Sequence, residues 1–195
     1  MKHLKLLLLT IALVLFSEVT MAEDVYVVLD VGQGNAPKAC EGLPSTMSCS
    51  NTTTALRAGL GVQVNKDVGF EVQYINFGKV TASGTYLGSP ATANLTATGF
   101  EASIVGAIPL TPSVALMGKV GLAMIKGNAT ATVGGSSAST SADNTNLAYG
   151  VGVRFNANDK IAIRLMYENY GDVKTSSTDT GGPVSIVSAG VQIGF

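Results

Sequence analysis

Eight charged residues recur at one strand parity: Asp30, Arg57, Glu71, Glu101, Lys119, Arg154, Arg164 and Glu168. They are four acids and four bases, so their net charge is zero. Carboxylates and cations in such balance could pair, could select ions in a pore, or could do acid–base work. Acid–base and nucleophilic catalysis usually need a group that titrates near neutrality, most often His. The one His is His3, at the extreme N-terminus. Serines are plentiful at 136–141 and 176–177, but a Ser without a base is a poor nucleophile. The two Gly-Lys pairs, at 78–79 and 118–119, are preceded five residues earlier by Gln73 and Ser113, so no phosphate-cradling loop is present. No enzyme, cofactor or metal site is expected. Ion pairing is the chemistry left to the eight charges.

The segments that carry them alternate strictly. "VYVVLDVG" places Val25, Val27, Leu29 and Val31 on one face and Asp30 on the other. The same period-two pattern recurs around Leu56–Val64, Val68–Tyr74, Phe100–Ile104, Val114–Met124, Leu147–Phe155, Ile161–Tyr167 and Val187–Phe195. Period two is the signature of strands, so eight strands are expected. The apolar parity is almost free of charge. The opposite parity carries the eight charges, Gln63, Gln73 and Gln192, and several glycines.

Short connections at 65–67, 109–112 and 156–159 alternate with long polar ones at about 35–52, 79–92, 126–144 and 172–183. Tight turns at one end and long loops at the other describe an all-β, eight-stranded antiparallel up-and-down transmembrane β-barrel. The interior of such a barrel just accommodates side chains. Small glycines make room for large charged residues, which must satisfy one another because an unpaired buried charge is costly. A hairpin centred on residue 110 would set Glu101 opposite Lys119, and an internal ion pair is expected there. Phe70, Phe155 and Phe195 would sit near one membrane interface, and Tyr74, Tyr149 and Tyr167 nearer the other.

Period two does not by itself say which face is outside. A soluble secreted ligand-binding barrel would turn the apolar parity inward. Against that, the charged parity holds about one charge per strand and many glycines, too few for a water-facing surface. Charged residues form 13% of the chain, against about 25% in ordinary soluble domains.

The N-terminus has its own signature. Lys2, His3 and Lys5 precede Leu6–Phe16, apolar but for Thr10, and Thr20 and Ala22 lie just before Glu23. This reads as a signal peptide over 1–22, with the barrel over 23–195; the apolar run is too short to span a bilayer as a helix. Setting Lys2, Lys5 and Glu18 aside from the 12 basic and 13 acidic residues leaves ten and twelve, a net charge of −2. No basic patch for nucleic acid is present. Cys40 and Cys49, the only cysteines, lie in one polar stretch beyond an export signal and are expected to form a disulfide.

The stretch "SCSNTTTALRAGLGVQVNKDVGFEVQYINFG" resembles the second and third strands of OmpA-type outer-membrane barrels, with their polar loop, N-K turn and F-E-x-x-Y-x-x-F-G strand. The first strand, the signal segment and the terminal Phe are similar as well. The chain ends with the barrel, which resembles the stand-alone OmpX and Ail/Lom type. The resemblance implies an integral protein of the bacterial cell outer membrane, with both mature termini periplasmic. Its expected partners are outer-membrane lipid and lipopolysaccharide, and possible host-surface or phage contacts through the loops. The closing "SAGVQIGF" resembles the terminal signal read by the barrel-assembly machinery, which makes Phe195 an assembly signal. The functions this implies are a structural or surface-interaction role with a polar, plugged lumen and long extracellular loops, or, alternatively, a narrow porin-like channel for small solutes or ions.

Overall fold

In the computed structural model the described residues are 25–176 and 181–195; the signal segment 1–22 lies outside them. They form nine strands: β1 (Val25–Asn35), β2 (Met47–Cys49), β3 (Thr52–Asn65), β4 (Val68–Tyr86), β5 (Ser89–Thr111), β6 (Val114–Val133), β7 (Ser136–Asn156), β8 (Ile161–Val173) and β9 (Gly182–Gly194). Eight of them close into a ring in the order β1-β3-β4-β5-β6-β7-β8-β9 and back to β1, every pairing antiparallel. The last strand seals the ring against the first from Tyr26↔Gly194 to Asn35↔Ser185, so the ring has no open edge.

The tight turns are built by side chains that mimic backbone acceptors. Asn65 Oδ1 accepts from the N–H groups of Asp67 and Val68, and Asn158 Oδ1 from those of Lys160 and Ile161. Between β5 and β6 the turn is Pro112-Ser113, with a register shift between Pro109 and Thr111. The hairpin is therefore centred on residue 112 rather than 110, and Lys119 stands opposite Val105 while Glu101 stands opposite Ala123.

Which face is outside is settled by exposure. Leu60 and Val151 are 60% and 61% exposed, whereas Glu101 and Arg164 are each 1% exposed. The apolar parity points out and the charged parity points in, the arrangement required where hydrocarbon is the solvent. Tyr74 and Phe100 meet edge to face on the outer surface, with centroids 5.3 Å apart.

Two of the expected long loops are strand. Residues 79–92 and 126–144 continue β4–β5 and β6–β7 as hairpins, pairing out to Tyr86↔Ser89 and Val133↔Ser136. Their two-residue turns, Leu87-Gly88 and Gly134-Gly135, hold positive φ at both positions, as primed hairpin turns require. Ala82, Ala93, Ala131 and Ala138 align on one face of these extensions and Thr81, Asn94, Thr130 and Ser139 on the other, an alternation of small residues without the large apolar side chains that mark a strand in sequence. The 35–52 connection holds a 3-10 turn (Pro37–Cys40) and β2, which pairs with β4 at Met47↔Gly84 to Cys49↔Ala82. Of the 172–183 connection, residues 177–180 lie outside the described residues.

Candidate functional site

Inward-facing positions on six strands bring together seven of the eight expected charges. Arg164, from β8, grips Asp30 of β1 with two parallel bonds: Nε to Oδ1 and Nη2 to Oδ2, both 2.9 Å. Its third nitrogen, Nη1, donates to Glu71 Oε1 at 2.7 Å. Such fork geometry is the strongest ion pairing available to a side chain. Arg57 Nη2 lies 3.3 Å from Asp30 Oδ2 and donates to Ser188 Oγ at 2.6 Å, while its Nη1 pairs with Glu168 and donates to the Tyr170 hydroxyl at 3.0 Å. Lys119 Nζ reaches three carboxylates: Glu168 at 2.9 Å, Glu101 at 3.2 Å and Glu71 at 3.6 Å. It also donates to Gln73 Oε1 at 3.2 Å. Tyr26 donates to Glu71 Oε1 at 3.1 Å.

The Glu101–Lys119 ion pair thus forms, but not through the expected register. The two residues stand four apart along the β5–β6 ladder, and their long side chains close the gap. Close packing makes room for the network. A side chain at Gly190 would fall on the Asp30 carboxylate, and one at Gly61 on the Tyr26 ring.

Arg154 stands apart. It shares the inward parity but is only half-buried, makes no ion pair among the described residues, and its Nε is buried without a partner. It lies directly opposite Arg164 on the β7–β8 ladder, two residues from the end of β7. Like charges opposite one another disfavour each other, and Arg164 holds the nearby acids. Same parity did not mean same neighbourhood. The buried network therefore holds four carboxylates against three cations, and Glu101 has Lys119 as its sole ion partner among the described residues.

Beyond the network, away from the tight turns, lies an apolar layer that parity counting did not single out. It comprises Ala55, Ile75, Phe77, Ala123, Ile125, Ala148, Tyr170, Val173 and Ile186, all buried. Phe77 of β4 and Tyr170 of β8 meet edge to face with centroids 5.0 Å apart. A repeated motif carried the signal: "YINFG" at 74–78 and "YENYG" at 167–171. A second, smaller cluster of Val105, Met117 and Met166 stands on β5, β6 and β8.

Cys40 and Cys49 are joined, with Cα atoms 5.8 Å apart, tying the 3-10 turn to β2. Phe195 is 71% exposed, and its N–H donates to Val25 O at 3.1 Å across the closing seam.

The sequence profile of the OmpA-like transmembrane domain matches residues 20–195. The chain belongs to the OmpA-like transmembrane domain family. It is an integral β-barrel of the bacterial outer membrane. No curated protein matches it in sequence. Among solved structures, Ail of Yersinia pestis, the attachment invasion locus protein, is 19% identical over 90% of this chain and 100% of its own, with a TM-score of 0.56. A second structure of Ail, in complex with the heparin analogue sucrose octasulfate, gives 18% identity, coverage of 88% and 98%, and a TM-score of 0.57. Neisserial surface protein A gives 17%, 88%, 97% and 0.55. At these identities the likeness is one of fold, and the OmpA-like fold is what the three share with this chain.

Proposed function

We propose that this OmpA-like barrel has a filled, non-conducting lumen and acts at the cell surface through the sheet that rises beyond the barrel. The observation that carries the reading is a mismatch of ladder lengths. β7 pairs with β8 only as far as Tyr149↔Asn169, yet pairs with β6 on to Val133↔Ser136. Asn146 and Asn144 still bond the 170–174 backbone through their side chains, so the part of β7 that outruns β8 is 136–143, eight residues, a rise of roughly 25 Å along the strand at about 3.3 Å per residue. β4, β5 and β6 accompany it. The projecting surface is rich in Ser, Thr and Asn and nearly uncharged, with Lys79, Lys126 and Asp143 near its base. It suits partners that are recognised by hydrogen bonds, such as glycans or extended peptide on a host or phage surface. The heparin-analogue complex of Ail and the surface-protein name of the neisserial relative agree with a surface role.

The orientation follows from the same reading. With the projecting sheet outside, the tight turns and both mature termini face the periplasm. Lipid and lipopolysaccharide then surround the apolar belt, and the barrel-assembly machinery recognises the last strand through Phe195. No enzymatic role is assigned, since each buried carboxylate of the network is engaged by a cation. The test replaces residues 80–91 and 127–143 by short turns and compares binding of cells carrying each protein to host-cell and matrix surfaces. Loss of binding with normal barrel levels is the expected result; undiminished binding would refute the surface role.

A further inference from the structure

The interior is layered along the barrel axis, and one layer is made differently from the others. Alanines at 55, 97, 123 and 148, on β3, β5, β6 and β7, leave space that two aromatic rings fill from β4 and β8. Those two strands are diametrically opposite, with three strands between them either way round the ring. Each ring is flanked by the same local device. In Asn76-Phe77-Gly78 the Asn side chain accepts from the Gly N–H at 2.9 Å, the Gly has φ 80°, and the ladder shifts register between Asn76 and Lys79. In Asn169-Tyr170-Gly171 the same bond is 2.9 Å, φ is 68°, and the shift falls between Asn169 and Asp172. These are bulges with a positive-φ glycine, which re-aim a strand locally. Here each bulge falls at an aromatic ring that continues the inward parity of its strand, with the parity reversing just beyond it, and the rings meet edge to face over the lumen.

The two rings face different surroundings. Phe77 lines a cavity of about 370 Å³ at the outer mouth, together with Lys38, Val80, Leu95, Val173 and Val184. None of the seven network charges lines it. Tyr170 turns its hydroxyl the other way, to Arg57 of the network. The pair and its apolar collar therefore separate an outer vestibule from the buried ions.

We propose that the Phe77–Tyr170 pair is a hydrophobic septum and is the permeability barrier of this barrel. The ion network beneath it stabilises the fold and does not by itself hold back ions. An apolar constriction excludes ions by expelling water, whereas a polar network offers entering water and ions partners to exchange with. The inference rests on the non-conducting reading above but assigns the seal to a different layer from the charges.

The test is conductance in planar bilayers, using only protein that shows the heat-modifiable band of a folded barrel. The parent is expected to give no stable steps. Phe77→Ala/Tyr170→Ala is expected to give resolvable steps. If the double variant does not fold, Phe77→Ala alone carries the same test, because the space it vacates opens on the vestibule. Tyr170→Phe keeps the ring and loses only the bond from Arg57, and should stay silent. Glu101→Gln, which alters the network and spares the rings, should stay silent too. Steps from the parent would overturn the non-conducting reading itself. A silent parent with a silent, folded Phe77→Ala variant would overturn the septum alone. So would steps from Tyr170→Phe or Glu101→Gln equal to those of the alanine variants.

Discussion

Lys119→Met is the most informative single change to the network. Its ammonium touches Glu168, Glu101 and Glu71 at 2.9, 3.2 and 3.6 Å. Met matches its volume but brings no charge, leaving Arg57 and Arg164 to face four carboxylates. Glu71 keeps Arg164 at 2.7 Å and Glu168 keeps Arg57, but Glu101 is left with no ion partner among the described residues. Removing one side of a buried pair costs about 3–5 kcal/mol. With two of the three acids still partnered, the low end, about 3 kcal/mol, is expected. Glu101→Gln is the mirror experiment. It removes the surplus carboxylate, and Lys119 retains Glu71, Glu168 and Gln73. A neutral hydrogen bond replaces a charged one, at a cost of about 1 kcal/mol or less. The assay is urea unfolding of the barrel in lipid vesicles, followed by far-UV circular dichroism because the chain has no Trp. At slopes of about 1–3 kcal/mol per M, Lys119→Met lowers the midpoint by about 1–3 M and Glu101→Gln by about 1 M at most. An unchanged midpoint for Lys119→Met, or equal losses for the two variants, would refute the imbalance of four acids against three cations.

Three further outcomes are expected. Cys40→Ser/Cys49→Ser should free the 3-10 turn and β2, producing new protease cleavage within residues 41–51 while the folded barrel band persists; loss of that band would show that the disulfide supports the ring itself. Gly190→Val should fail to fold, because its side chain would occupy the position of the Asp30 carboxylate and displace it from Arg57 and Arg164; a normal heat-modifiable band would contradict this. Deleting Phe195 should lower membrane levels more than it lowers the urea midpoint of barrels already folded, since the residue is exposed and contributes one backbone bond at the seam; normal levels would remove its role as an assembly signal.

What the sequence displayed was alternation, and alternation reports which face a residue takes. That sufficed for the ring, the outward apolar belt and the inward charges. It does not report height along the axis or local register. Arg154 has the right parity and the wrong neighbours. Glu101 and Lys119 meet through long side chains although the hairpin is centred two residues later than the Pro109–Pro112 stretch suggested, because the turn is only Pro112-Ser113 and Pro109 to Thr111 belong to β5. The 79–92 and 126–144 extensions were hidden for a related reason. There small Ala alternates with Thr, Ser and Asn, so period two loses its large apolar residues while the hydrogen-bonded ladder continues. The aromatic layer escaped because parity does not say where the charged layer stops: Phe77 shares the inward parity of Glu71 and Gln73, and Tyr170 that of Arg164 and Glu168, and each bulge reverses parity only beyond its ring, to Val80 and Ala82 on β4 and to Val173 on β8.

The interior and the projecting sheet are under different physical constraints. Inside, large and small residues are fitted in pairs: Tyr26 against Gly61, Asp30 against Gly190, Glu168 against Gly150. Each member limits the size of its partner, and each charge limits the charge of its neighbours. A single exchange there must be matched by another or cost several kcal/mol. On the extensions the neighbours are small and solvated, as in the Thr130–Ser139 and Thr132–Ser137 hydroxyl pairs. Exchanges at such surface positions usually change stability by no more than about 0.5 kcal/mol. The fold therefore leaves chemistry free to vary where the sheet leaves the membrane and holds it fixed where the lumen is filled. A protein of this design can change what it touches outside without renegotiating how it stands in the bilayer, which is the physical reason to look for its function on β4–β7 beyond the ring.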